Sequence, residues 1–220
     1  MSKKNTEIES LAERLYQALC QSKPVEPLTD SVPGLTIEDA YFIQRALIQR
    51  RVQAGERVIG KKIGVTSAAV MDMLKVNQPD FGMLTDRMVI NQGAAVDMAQ
   101  LIQPKAEGEL AFVLKRDLQG PGITTADVLR ATDGVMACFE IVDSRICDWR
   151  IKIQDTVADN ASCGLFVLGD QLVRPEKLDL RLLGMVLEKN GRVVGTGAGA
   201  ATMGSPVTAV AWLANTLGQL

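Results

Sequence analysis

Apolar residues recur at helical spacing near the start of the chain. Ile8, Leu11, Ala12, Leu15 and Leu19 fall on one face of a 3.6-residue repeat. Thr6 followed by Glu9 is a capping-box pattern, so a helix is expected to start at Thr6. Pro24 and Pro27 mark a linker. Thr36 and Asp39 repeat the capping pattern, and Ala40, Ile43 and Leu47 carry a second helix to Gly55. Residues 1–55 therefore read as an N-terminal helical arm.

The texture changes after Gly55, and residues 56–220 read as a β-rich domain. Arg57–Thr66 suits a strand, Ser67–Val76 a short helix and Asn77–Gly82 a turn cluster. Strands are expected near Met88–Asn91, Gly108–Leu114 and Val135–Val142, with a helix over Thr125–Ala131. Asn190-Gly191 between apolar runs at Met185–Glu188 and Val193–Gly195 is a hairpin signal. Ser205 as N-cap and Pro206 at the first helical position open a last helix ending at Leu217. The order of elements predicts an α+β fold rather than strict βαβ alternation.

Composition narrows the chemistry. Of 220 residues, 47% are apolar, enough for a sizeable core. The formal net charge of −2 leaves no basic footprint for nucleic acid. The start lacks a signal-peptide pattern and no apolar run is long enough to span a membrane, so a cytoplasmic enzyme is expected. Cys20, Cys138, Cys147 and Cys163 form no C-x-x-C pair and read as reduced thiols. The chain has no histidine. That excludes a Ser-His-Asp triad and any His-ligated zinc, leaving acid–base work to Asp, Glu, Lys, Tyr, Cys or metal-bound water.

Carboxylates stand out in two strands. Glu107 and Glu109 alternate with Gly108, so they share one strand face. Glu140 lies within Met136–Asp143, an otherwise apolar strand that reads as buried on both sides. A lone buried carboxylate is costly unless paired or metal-bound. Three acids brought together would repel, and a divalent cation would relieve this. All-oxygen ligation suits Mg²⁺ or Mn²⁺. The alternative is a solvated Glu107/Glu109 face, with Glu140 paired to Lys or Arg.

Lys61 and Lys62 sit between glycines in an apolar strand and point to opposite faces. Either both reach solvent, or one turns inward to bind a carboxylate or move protons. Asp80, in Pro79-Asp80-Phe81-Gly82, is either an ordinary turn residue or the partner of that lysine. The D-F-G letters occur without the other kinase elements. Gly195–Gly199 lacks the spacing of a dinucleotide loop.

Taken together, G-K-K-I-G-V-T-S, Q-P-D-F-G, L-I-Q-P-K-A-E-G-E-L-A-F-V-L, F-E-I-V-D-S-R and D-T-V-A-D-N-A-S-C-G resemble the 2-hydroxypentadienoate (2-oxopent-4-enoate) hydratases of aromatic meta-cleavage pathways. These are a branch related to fumarylacetoacetate hydrolases. The resemblance runs from Leu11 to Leu217 and is similar to a lesser degree for 4-oxalocrotonate decarboxylases. It implies a fumarylacetoacetate-hydrolase-like mixed β roll with an N-terminal helical arm, shortened at its C-terminus relative to the family. It implies Mg²⁺ or Mn²⁺ on Glu107, Glu109 and Glu140, and Lys62 and Asp80 as catalytic groups. Asn160 and Ser162 would lie near the substrate, a small 2-oxo or 2-hydroxy dienoic acid. A homo-oligomer is implied, with a possible complex with a decarboxylase or aldolase. The rival expectations are decarboxylation of a 2-oxo-dioate, or an inactive subunit supporting a partner enzyme.

Overall fold

The computed structural model describes residues 3–219. In chain order it has α1 (Lys3–Gln21), α2 (Leu28–Ser31), α3 (Ile37–Gln53), β1 (Val58–Gly64), α4 (Ala68–Leu74), β2 (Asp80–Thr85) and β3 (Val89–Ile90). There follow β4 (Lys105–Leu114), α5 (Thr125–Ala131), β5 (Thr132–Val142), α6 (Ile153–Ala158), β6 (Cys163–Leu168), β7 (Gly184–Lys189), β8 (Arg192–Ala198) and α7 (Pro206–Leu217). The expected α+β class is observed. No helix among the described residues is long and apolar enough to cross a membrane.

Two compact units form. The first comprises residues up to Gly64, Asp80–Glu107 and Glu140–Val167; the second comprises Val65–Pro79, Gly108–Phe139 and residues from Leu168 onward. The helical arm is thus part of the first unit. Its α1 and α3 pack through Leu11, Leu15, Ile43 and Leu47, and Val157 and Ala158 of α6 join the same core. Each fully buried Leu or Ile contributes roughly 1.5–3 kcal/mol. The second unit has its own core of Val128, Val135, Leu180, Val207 and Ala211.

Thr36 caps α3 as expected. Its hydroxyl accepts from Asp39 N–H, and the Asp39 carboxylate accepts from Thr36 N–H. The Thr6 cap is corrected: α1 already runs from Lys3, placing Thr6 inside it. The polar residues ahead of Thr6 do not break a helix, and Lys4 ties the extra turn to Asp39 at 2.7 Å.

The Asn77–Gly82 turn is also corrected. Asp80, Phe81 and Gly82 open β2, which pairs antiparallel with β1 in the register Gly64↔Asp80 and Lys62↔Gly82. Main-chain pairing along β1 overrides the local turn signal. The four-stranded sheet has order β3-β6-β5-β4, with β3 and β6 parallel. The Asn190-Gly191 hairpin joins β7 to β8 as expected. Burial of β5 on both faces is corrected, because Phe139 is 41% exposed.

Candidate active site

The first unit gathers Lys62, Asp80, Glu107, Glu140, Asn160 and Ser162. Strand alternation puts the two lysines on opposite faces and packing decides between them: Lys61 is exposed, while the Lys62 side chain is only 11% exposed. Lys62 Nζ donates to Ala161 O at 3.0 Å and lies 3.3 Å from Glu140 Oε1. Burial alone would lower the lysine pKa. Attraction to Glu140, then to Asp80, overcomes that and holds it above the ordinary lysine value. Lys62 is therefore a fixed cation, suited to gripping an anion rather than to removing a proton.

Glu140 is 6% exposed, and its Oε1 makes no hydrogen bond although the lysine is within ion-pair reach. Asp80 is 2% exposed, and neither carboxylate oxygen accepts a hydrogen bond of good geometry. Burial raises its pKa; Lys62 opposes the rise and Glu140 adds to it. Of the readings left open for Lys62, Asp80 and Glu140, the ion pair formed is Lys62–Glu140. Asp80 acts on the lysine through space, from across Gly64, where an added Cβ would meet Asp80 Oδ1 at 2.2 Å and Lys62 Nζ at 3.1 Å. A buried carboxyl held above its ordinary value beside a lysine is a candidate proton carrier.

Glu107 ends the first unit's part of β4. Surrounding protein raises its carboxyl pKa, Lys62 opposes this and Glu140 reinforces it, while its solvent exposure screens all three effects. Glu109 lies in the second unit's part of the same strand and is exposed. Among the described residues no three His, Cys, Asp or Glu side chains form a metal-ligating cluster. A hard divalent cation nonetheless suits the donors in kind: all are oxygens, and Glu140 Oε1 is a buried acceptor without a hydrogen bond. Glu107 and Glu140 repel each other, and a cation between them would relieve that repulsion.

The Asn160–Ser162 turn has an unusual backbone. Asn160, Ala161 and Ser162 have φ of 54°, 53° and 52°. Three successive L-residues in this left-handed region cost roughly 1–2 kcal/mol each. The turn aims Ala161 O at Lys62 Nζ. The Asn160 side chain is committed elsewhere: its Nδ2 donates to Met83 O at 2.9 Å and its Oδ1 accepts from Met83 N at 2.8 Å. Gly82 permits this approach, since a Cβ there would meet Asn160 O at 2.5 Å. Ser162 Oγ is buried without a hydrogen-bond partner.

Residue patterns did not assign roles to Arg145 or Asp159, which are buried side by side. Arg145 Nε donates to Asp159 Oδ1, and Arg145 N donates to Asp159 Oδ2 at 2.9 Å. Burial lifts the Asp159 carboxyl to about 6, against the pull of Arg145. Gln44 of α3 was also missed; its Nε2 donates to Phe81 O at 2.8 Å and to Val157 O at 3.0 Å, fixing β2 beside Asp80. The available signal was charge type: Arg and Asp are almost never fully buried unless paired.

This carboxylate-and-lysine site, in a mixed α+β fold, defines a class. Residues 54–218 match the family model described as fumarylacetoacetate (FAA) hydrolase C-terminal, and the chain belongs to that family. Among its relatives is a 2-hydroxypent-2,4-dienoate hydratase of Pseudomonas putida, 64% identical over 97% of both chains. A 2-hydroxyhexa-2,4-dienoate hydratase of Comamonas testosteroni is 61% identical over 96% of this chain and 81% of its own. Among solved structures, 4-oxalocrotonate decarboxylase from Pseudomonas putida G7, complexed with magnesium and adipate, superposes with a TM-score of 0.95. It is 38% identical, over 100% of this chain and 82% of its own.

Proposed function

We propose that this chain hydrates 2-hydroxypenta-2,4-dienoate, or a close homologue, to 4-hydroxy-2-oxopentanoate. One observation carries the chemistry: a buried Lys62 ammonium 3.3 Å from the Glu140 carboxylate, with the buried Asp80 carboxyl across Gly64. The higher identity to named hydratases than to a decarboxylase supports hydration. Glu107 and Glu140 would hold a divalent cation, Mg²⁺ or Mn²⁺, with Glu109 as third carboxylate on the same strand. When bound, the cation supplies Lewis acidity at the substrate's 2-oxygen.

Lys62 would bind the substrate carboxylate. Asp80 would accept the proton of the 2-hydroxyl and return one to C5, leaving a 2-oxo-3-ene. Water then adds its hydroxyl at C4 and a proton at C3, so one water is gained overall. Ser162 Oγ is a buried donor without a protein partner, suited to a substrate oxygen. Asn160 acts through the β2 backbone that it clamps. The helical arm over residues 1–55 and the β-rich catalytic domain after it would work in a homo-oligomer, in complex with a decarboxylase or aldolase.

The structural likeness to a decarboxylase favours a second reading, CO₂ loss from a 2-oxo-dioate. Incubation with Mg²⁺ and each substrate separates them. Loss of dienol absorbance with 4-hydroxy-2-oxopentanoate as product supports hydration. CO₂ release from the dioate alone transfers the chain to the second reading. No turnover of either substrate points to a supporting, non-catalytic subunit.

A further inference from the structure

Three consecutive non-glycine residues in the left-handed region do not stay there unaided. The hydrogen bonds of Arg145 show what holds them. Before the turn, its guanidinium donates to the carboxylate and to the backbone carbonyl of Asp159. After the turn, Nη1 donates to Cys163 O at 2.8 Å, and the same nitrogen donates to Asp143 O at 2.6 Å. The Ser144 hydroxyl donates to Asp159 Oδ2 at 3.3 Å, and Ser162 O accepts from Asp143 N at 2.8 Å. Both ends of the turn are thus tied to one buried side chain.

The turn in turn sets three features of the site: the acceptor facing Lys62, the Asn160 clamp on Met83 and the position of the Ser162 hydroxyl. Arg145 is paired with Asp159, whereas Lys62 is paired with Glu140. The influence of Arg145 on Lys62 passes through the Asn160–Ser162 backbone. We infer that Arg145, with Asp159, is a positioning residue that locks the left-handed Asn160–Ser162 turn and thereby places Lys62 and Ser162 for turnover. The activity part of this inference rests on the hydratase reading; the backbone part does not. A lysine at position 145 would keep the charge, but its single ammonium cannot replace a planar fork that reaches both flanks.

The test is Arg145→Lys in the full chain with Mg²⁺, read in two ways. Steady-state kinetics on the dienol should show kcat lowered by about tenfold to a hundredfold, since small misplacements cost that much. KM should change far less, because the loss lies in orientation rather than in uniform binding. Amide exchange should show faster exchange at Met83, whose N–H is held by Asn160 Oδ1 at 2.8 Å. Unchanged exchange, or faster exchange with wild-type kcat, overturns the inference. If Arg145→Lys does not fold, Asp159→Asn is read in the same way; failure of both to fold reduces the pair to a purely structural role and also overturns it. A wild-type chain that hydrates no dienol sinks the hydratase reading instead, and Met83 exchange then decides the positioning by itself.

Discussion

Replacing Lys62 by Met removes the cation paired with Glu140 while keeping an unbranched side chain in its place. Coulomb's law at the 3.3 Å separation and an effective dielectric of about 20 gives an attraction of about 5 kcal/mol. Relief of the lysine's own burial offsets part of this, so a net loss of about 3–5 kcal/mol is expected, the range for removing one partner of a buried pair. The loss should depend on pH. Burial already holds the Asp80 carboxyl above its ordinary value, and Lys62 is the cation that opposes this. Without it the folded-state pKa climbs further. A raised carboxyl leaves the folded state unpenalised below the unfolded pKa, near 4, and destabilises it increasingly as pH rises through the folded pKa. The variant's deficit should therefore be larger at pH 8 than near pH 4. Trp149 lies in the first unit and Trp212 in the second, so urea unfolding in a Trp212→Phe background with EDTA reports the unit that holds the site. A deficit below about 1 kcal/mol at pH 8, no more than a surface pair contributes, would refute the pairing argument. So would an equal deficit at both pH values. Turnover of the dienol should fall by about 10²–10³ when the cation that faces the substrate's charge is removed.

Other outcomes follow from separate parts of the molecule. Asp159→Asn should flatten the pH dependence of stability: the wild-type carboxyl, lifted to about 6, is unpenalised near pH 4 and destabilising above pH 6, by up to about 3 kcal/mol, measured by urea titration across that range. Gly82→Ala pushes a methyl toward Asn160 O, which it would meet at 2.5 Å, and should cost about 1–3 kcal/mol by thermal unfolding. Leu15→Ala opens a cavity in the α1–α3 core and should cost about 2–5 kcal/mol, with the dienol KM unchanged in the folded fraction.

The parts of the fold legible in the sequence are those set by local chemistry. The Thr36 capping box, the Asn190-Gly191 hairpin and the Ser205-Pro206 helix start each need only neighbouring residues, and all are present. Lys62 was separable from Lys61 only as one of two opposite faces; packing decided which turned inward. Asp80 looked like a turn residue because Pro-Asp-Phe-Gly is turn-rich, whereas strand pairing to β1 is a long-range property. Arg145 and Asp159 were hidden for a related reason. Their partners are 14 residues apart along the chain, and no periodic pattern encodes that distance. The strain at Asn160–Ser162 was invisible too, because those three residue types carry no signal for a left-handed run.

The account turns on whether the β4 and β5 carboxylates take up a hard cation beside Lys62. Mn²⁺ binding followed by electron paramagnetic resonance measures this directly, with wild type and Glu140→Gln compared at equal folded content. The account predicts stoichiometric Mn²⁺ uptake by the wild type, competed by Mg²⁺, and loss of that uptake in the folded variant. A folded Glu140→Gln protein that binds Mn²⁺ as tightly as the wild type would contradict it.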